Sequence, residues 1–445
     1  MANFPLKWGG GVNLLADPSA IADNQLVWAK NLYPSLEGLL DKREPIKAAG
    51  HLVHATGGYY VRPLTLFVPD PVLGIDFILH GHTIAGSGEF LTVVRLDQTM
   101  LATPPSLEST FWLENLINAS VSSICLVNFR GRVIASTPGV EGFVQLTKQP
   151  DGSLQWNRVS FQWIPDEAGV VAQQRQFIPV EPKVIGVYRD RLIFANFGLG
   201  RANWFIFGDR DTQANWTNVT TAPPWAIVGD DVLADNGRHL ELAAIQGEDI
   251  ILAKEISLSA VGSPSQSALL ILTDRSAVIC VEEPAQTTDT DFDTADGYLG
   301  QFSANKVNFQ TGIVGPNCIC ETPYGVCWAS ADEVWLMSGN LPTPVGTAIR
   351  PALQDTPPAF RKYWSMAYAN GTVFLAIATQ ASNSEYDLAV QHWRLDLRQG
   401  PQKARWYGPQ DYEGLALPAS LNADYNGMPC PIVSTRGQGN KDLVY

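Results

Sequence analysis

From about Tyr59 onward, the chain is a succession of short β-branched, aromatic and aliphatic runs separated by turn residues. One clear hairpin is predicted over Leu269–Val281, where Asp274-Arg275-Ser276 separates two apolar runs. A second is predicted around Asn370-Gly371, because Asn-Gly accepts the positive φ angles of a type I′ turn. The pattern therefore predicts an all-β protein.

The apolar runs group into units that each hold three or four predicted strands. Their approximate ranges are 59–100, 122–162, 183–220, 240–283, 306–345, 360–410 and 414–445. Repeated units of this size are typical of a β-propeller, whose blades are four-stranded sheets around an axis. We predict six or seven blades. A sandwich of similar strands is the alternative fold.

The first 50 residues differ from the rest, and we interpret residues 1–50 as an N-terminal arm and 51–445 as the propeller. One short helix is predicted over Pro18–Lys30, with Asp17 as its N-cap. The arm also carries apolar side chains with little nearby to bury them, which makes it a candidate docking element. Three alternatives follow: it closes the first blade, reaches a neighbouring subunit, or packs on its own propeller. The candidate interface residues are Trp8, Leu14, Leu15 and Trp28.

The composition limits the functional class. The chain has 445 residues, 45% of them hydrophobic and 17% charged, which is typical of a folded protein with a sizeable core. It contains no apolar run long enough for a membrane span and no secretion signal near its first residue, so we expect folding in a reducing cytoplasm. With 44 acidic and 30 basic residues, the net charge of −14 argues against wrapping of nucleic acid. Among the six cysteines, Cys318, Cys320 and Cys327 are interpreted as small apolar residues on two strands around a Pro-Tyr-Gly turn.

No catalytic or cofactor motif is present: the sequence has neither a phosphate-binding loop nor a G-x-S-x-G nucleophile elbow. We therefore predict no catalytic residue, no cofactor and no metal. One acidic segment resembles the start of a calcium loop, but Thr294 stands where glycine is needed and Gly300 where a bidentate glutamate is needed. We interpret it as a solvated loop or as a repulsive wall of a DNA channel. Its candidate channel residues are Asp289, Asp291, Asp293 and Asp296.

Segments along most of the chain resemble the tail nozzle, or DNA-stabilisation, β-propellers of tailed-bacteriophage virions. The lead-in combines a Gly-Gly-x-Asn start, an Asn-Gln pair and an Ala-x-Asn-Leu strand: Gly10-Gly11-Val12-Asn13, Asp17-Pro18, Ile21, Asp23-Asn24-Gln25, Ala29-Lys30-Asn31-Leu32, Gly38 and Arg43. Later segments agree in order: Val184–Gly198, Arg201–Trp216, Leu269–Val281, Thr311–Gly339 and Ile349–Leu353.

The resemblance implies a non-enzymatic virion component, made in the host cytoplasm and built into the phage tail. It implies a homo-oligomeric ring, commonly six-fold, below the portal and adaptor and in contact with other tail proteins. Such a ring extends the DNA channel and helps to retain the genome until ejection, and packaged DNA passes through it without sequence-specific binding. A virion-borne glycosidase and a receptor-binding or decoration propeller are the alternatives.

Overall fold

The structure is a computed structural model that describes most of the chain's strands and connections. The described residues are 12–15, 26, 32–34, 40–42, 50–53, 59–70, 75–84, 88–96, 107–112, 125–129, 132–136, 143–148, 154–159, 161–164, 177–178, 182–189, 191–198, 202–207, 225–228, 239–258, 266–282, 302–308, 311–339, 341–380, 388–410, 419–425, 428–436 and 441–444. Strands predominate among the described residues, and the helices there are short. The predicted all-β class is confirmed.

The strands of the first half of the chain are β1 (Leu32–Pro34), β2 (Leu40–Lys42), β3 (Gly50–Val53), β4 (Tyr59–Asp70), β5 (Ile75–Ile84), β6 (Gly88–Leu96), β7 (Leu107–Trp112), β8 (Cys125–Phe129), β9 (Arg132–Ser136), β10 (Phe143–Lys148), β11 (Leu154–Val159), β12 (Phe161–Ile164), β13 (Phe177–Ile178), β14 (Val184–Tyr188), β15 (Arg191–Ala195), β16 (Trp204–Phe207) and β17 (Trp225–Val228).

The second half contributes β18 (His239–Glu241), β19 (Ile250–Leu258), β20 (Gln266–Thr273), β21 (Ala277–Glu282), β22 (Phe302–Asn308), β23 (Ile319–Thr322), β24 (Gly325–Ala329), β25 (Val334–Ser338), β26 (Leu341–Pro344), β27 (Ser365–Ala369), β28 (Thr372–Gln380), β29 (Leu388–Asp396), β30 (Arg405–Gln410), β31 (Ala419–Tyr425), β32 (Met428–Arg436) and β33 (Lys441–Val444). Two short helices, α1 (Arg350–Gln354) and α2 (Pro358–Arg361), lie between β26 and β27. Single 3-10 turns occupy Ala243–Ile245, Thr347–Ile349 and Pro401–Lys403.

The described strands form seven four-stranded antiparallel sheets, which we label A to G in chain order. Sheets A (β4–β7), B (β8–β11), D (β19–β22), E (β23–β26) and F (β27–β30) are simple meanders. Sheet C is β14-β15-β16-β18, and sheet G is β31-β32-β33-β3, so the early strand β3 pairs with the late strand β33 in sheet G. Side chains are described most completely in sheets C to F.

Both predicted hairpins are confirmed. Strands β20 and β21 pair from Leu269 opposite Cys280 to Leu272 opposite Ala277. At the turn between β27 and β28, Asn370 and Gly371 have φ angles of 49° and 78°, as a type I′ turn requires.

Several predicted unit boundaries were wrong. Strand β7 belongs to sheet A, although the first sequence unit ended near 100. Strand β18 belongs to sheet C and β22 belongs to sheet D, although the sequence units ended sheet C near 220 and began sheet E at 306. A small extra sheet, β13-β12-β17, combines strands that precede sheet C with one inserted before its last strand. Its β12–β17 pairing is parallel, which the hairpin pattern did not predict.

The first strands of successive sheets lie close together. Strand β14 contacts β8 and β19, β27 contacts β23 and β31, and β31 contacts β4. The approach of β14 to β19 requires glycine, because a Cβ atom on Gly186 would lie 2.3 Å from the carbonyl oxygen of Ala253. The main core lies between sheets D, E and F and includes fully buried indole rings of Trp328, Trp364, Trp393 and Trp406.

The predicted arm helix falls mainly outside the described residues. Leu26, inside its predicted span, instead forms a parallel β-bridge with Val12. This pairing satisfies the Leu26 carbonyl with the Asn13 N–H at 2.9 Å, which is a tertiary contact that helical periodicity cannot show.

Candidate functional site

The structure places only part of the predicted site. Trp8, Trp28, Asp289, Asp291, Asp293 and Asp296 lie outside the described residues. Leu14 is half-buried and packs against the main core of the same chain, whereas Leu15 is 53% exposed. Of the two candidate interface residues that the structure describes, Leu15 is therefore the one available to a partner.

The arm lies on the outer edge of sheet F. The Val12 N–H donates to the Trp406 carbonyl at 2.8 Å, and the Leu14 N–H donates to the Ala348 carbonyl at 2.9 Å. Val12 is only 2% exposed, and the Trp406 indole donates to the Val345 carbonyl at 2.6 Å beneath it. Because β30 is the edge strand of sheet F, this contact covers backbone groups that would otherwise form an open sheet edge. We call Val12–Leu14 and this edge the arm seat.

A buried carboxylate cluster joins the start of sheet D to its middle turn and last strand. Glu248 Oε1 accepts from Lys306 Nζ at 2.6 Å, and Oε2 accepts from the hydroxyls of Thr273 and Ser276, each at 2.5 Å. Burial alone raises the pKa of Glu248, but the bonds from Lys306, Ser276 and Thr273 outweigh it, and the pKa is lowered. The charged glutamate thus holds distant parts of the sheet together.

Sheet E has a comparable cluster at its own middle turn. Glu333, whose side chain is 2% exposed, accepts from the Val334 N–H at 3.0 Å through Oε1. Its Oε2 accepts from Thr347 Oγ1 at 2.9 Å and from Arg350 Nη2 at 2.6 Å. Turn and following connection are thereby joined by an ionic clasp. In both clusters the carboxylate oxygens of the glutamate accept structural hydrogen bonds, so neither glutamate is placed as a free base.

These glutamates were missed by sequence reasoning. Glu248 and Lys306 are 58 positions apart, and Glu333 and Arg350 are 17 apart. The local signal was restricted to the Thr-Asp-Arg-Ser turn after β20, which predicted the hairpin but gave no indication of its ionic partner.

Five cysteines are free, buried thiols: Cys125, Cys280, Cys318, Cys320 and Cys327. Cys320 and Cys327 lie opposite each other on β23 and β24, with Pro323-Tyr324 as the turn, as predicted. Burial raises the pKa of the Cys318 and Cys320 thiols. It raises the pKa of Cys280 to about 12. Protonated thiols are poor nucleophiles and poor metal ligands, so these residues act as core side chains.

A groove opens between sheets D and E at the ends of their strands. It has a volume of 490 Å³ and is lined by the end of β19, the β23–β24 hairpin and the end of β25. Lys254 Nζ and Glu321 Oε1 form an ion pair of 2.9 Å beside it, with 33% and 64% of their side chains exposed. Glu255 is held by the Arg189 N–H at 3.0 Å and by the Ser267 hydroxyl.

Within the described ranges, no group of three or more His, Cys, Asp or Glu side chains is arranged to hold a metal ion. Among the helices of the described residues, none is both long and apolar enough to cross a bilayer. Comparison with known proteins finds no matching family model and no similar curated protein.

Proposed function

We propose that sheets A to G are the seven blades of a β-propeller. Three observations support this: each sheet has four strands, the first strands of several successive sheets contact one another, and β3 completes the sheet formed by the chain's last strands. The pairing of β3 with β33 links the chain segment before blade A to blade G. Under this proposal the extra sheet of β12, β13 and β17 is an insertion around blade C.

We further propose that the protein is a non-enzymatic structural component of a bacteriophage virion, a tail nozzle or hub ring below the portal and adaptor. The observation that carries this proposal is the arm seat. Val12 and Asn13 belong to the lead-in that resembles nozzle proteins, and Val12 is buried against Trp406 by main-chain pairing. The lead-in is thus a structural part of the protein, with Leu15 exposed beside it for a neighbouring subunit.

The proposed mechanism is passive. A homo-oligomeric ring extends the DNA channel and helps to retain the genome, and DNA slides past surfaces that do not hold its phosphates. Basic surfaces bind DNA tightly by releasing counterions, whereas the chain carries a net charge of −14. The acidic segment is proposed to face the duplex through Asp289, Asp291, Asp293 and Asp296.

The assembly is tested with purified protein and purified virions. Light scattering after size-exclusion chromatography and negative-stain microscopy should show a closed ring, and labelled antibodies should mark the tail. A protein that stays monomeric at high concentration and is missing from virions by mass spectrometry would refute the proposal.

The channel role is tested separately. Electrophoretic mobility shifts should show no duplex binding at moderate salt, and replacement of the four aspartates of the acidic segment by asparagine should leave the fold intact and slow DNA release from particles. Tight, salt-sensitive duplex binding by the unaltered protein would contradict a passive channel. An intact quadruple variant with unchanged ejection would show that the segment does not act on DNA.

The glycosidase alternative has a direct assay. A glycosidase needs two carboxyl groups flanking its substrate, and Glu255 and Glu321, which both line the groove between sheets D and E, are the pair that the assay addresses. We expect no release of reducing ends when the protein is incubated with host capsule or peptidoglycan. Release that is lost on heating the protein would identify an enzyme instead.

A further inference from the structure

The groove between sheets D and E has the dimensions of a small-molecule site. Its 490 Å³ lies within the range of about 300–1,000 Å³ that is usual for ligand pockets. One wall is Glu255–Ser257 near the end of β19, the second is Glu321–Val326 of the β23–β24 hairpin, and the third is Met337–Gly339 at the end of β25. The walls therefore come from two separate sheets, which fixes the width of the groove by the packing of those sheets.

The polar groups at the groove combine a donor and an acceptor side by side. Lys254 Nζ lies 2.9 Å from Oε1 of Glu321, which lines the groove. A carboxylate can accept about four hydrogen bonds, so the 64% exposed Glu321 retains capacity for a ligand while it is paired with Lys254. Vicinal hydroxyl groups, each of which donates and accepts, match such an adjacent pair.

The remaining surface suits a flat ring with polar edges. Tyr324 supplies an aromatic face on the hairpin, and Gly325 and Gly339 leave space beside it because they carry no side chain. Gly325 is required by the fold as well, since its φ is 126° and a Cβ atom would lie 1.9 Å from the Met337 carbonyl oxygen. An aromatic face packs favourably against the slightly positive C–H groups of a pyranose ring.

We propose that this groove binds a neutral saccharide, with Tyr324 under the ring and the Lys254–Glu321 pair on its hydroxyls. Glu255 and Glu321 both carry negative charge at the groove, which disfavours uronic and sialic acids. Glu255 is held in the groove wall, because its oxygens accept from the Arg189 N–H and from the Ser267 hydroxyl. This inference goes beyond the proposed channel role and is independent of it.

The test begins with the full chain on an array of neutral and acidic oligosaccharides. The best neutral oligosaccharide is then titrated by calorimetry and by saturation-transfer NMR. We expect Tyr324→Ala and Glu321→Gln each to weaken binding by about tenfold or more, because each removes a direct contact. Tyr324→Phe should retain most of the affinity because it keeps the ring.

The control is Asp355→Asn, which removes another exposed carboxylate, after α1 and outside the groove lining. Its affinity should stay within about twofold of the unaltered protein. Circular dichroism and thermal melting establish that each variant is folded. Failure of every neutral oligosaccharide in both methods, binding of acidic sugars alone, or equal affinity in all variants would overturn the proposal. If no neutral sugar binds, a thermal stabilisation by calcium chloride that is lost in Glu321→Gln would also overturn the proposal.

Discussion

The ionic clasp of sheet E offers the sharpest test of how the described core is held together. Glu333→Gln keeps the shape of the side chain but leaves one carbonyl oxygen for the three donors on Val334, Thr347 and Arg350. If that oxygen takes the place of Oε2, the new amide points its own N–H groups at the Val334 N–H. One neutral hydrogen bond is then lost, which costs about 1 kcal/mol.

The second contribution comes from the loss of charge. The Arg350 bond changes from an ion pair to a bond between a charged guanidinium and a neutral carbonyl, but the Arg350 side chain is 37% exposed, so solvent screening limits this effect to about 1 kcal/mol. We therefore expect Glu333→Gln to lower the free energy of unfolding by about 2 kcal/mol. In an Arg350→Met background the same substitution should cost about 1 kcal/mol, because the Glu333–Arg350 ion pair is already absent there.

Urea unfolding followed by tryptophan fluorescence measures this change. Trp335 reports directly on the turn, since its indole donates to Ser330 Oγ at 3.2 Å and Ser330 in turn binds the Glu333 backbone. Glu321→Gln is the matched control, as it removes a carboxylate from the same sheet at a site that is 64% exposed, and it should shift stability by less than about 1 kcal/mol. Equal shifts for Glu333→Gln and Glu321→Gln would refute the argument.

Three further outcomes are expected. Because the pKa of Glu248 is lowered on folding, the stability that its charged form contributes is fully present above the ordinary pKa of 4.5 and is lost as pH falls through the folded value. Urea titrations should therefore show that the stability lost in Glu248→Gln becomes smaller below pH 4.5. A stability loss that does not change with pH would contradict this. Val12→Asp should destabilise the protein by about 2 kcal/mol in urea, whereas Leu15→Asp should leave unfolding unchanged and weaken the proposed ring in light scattering; the reverse order would exclude our account of the arm seat. Gly186→Ala should lower the melting temperature, since its Cβ would meet the Ala253 carbonyl oxygen at 2.3 Å, and an unchanged temperature in scanning calorimetry would show that β14 and β19 are not in close contact.

The site residues show where sequence reasoning stops. Leu14 and Leu15 are adjacent and equally apolar, yet one packs against the core and the other is exposed. The cysteines of β23 and β24 were correctly interpreted as core residues, because the strands and turn that place them are local. The ionic clasps were not predicted, since nothing near Glu248 or Glu333 in the sequence identifies Lys306 or Arg350 as a partner.

The sequence by itself determined the all-β class, the hairpins around Asp274–Ser276 and Asn370-Gly371, and the approximate number of units. These features depend on strand propensity and on turn residues that tolerate positive φ, and both are properties of neighbouring residues. Only the tertiary structure decided that β3 joins β33, that β17 pairs with β12 and not with its chain neighbours in sheet C, and that Val12 lies against Trp406. Such pairings join segments far apart in the chain, so they depend on the fit between surfaces built from many elements and not on any local pattern.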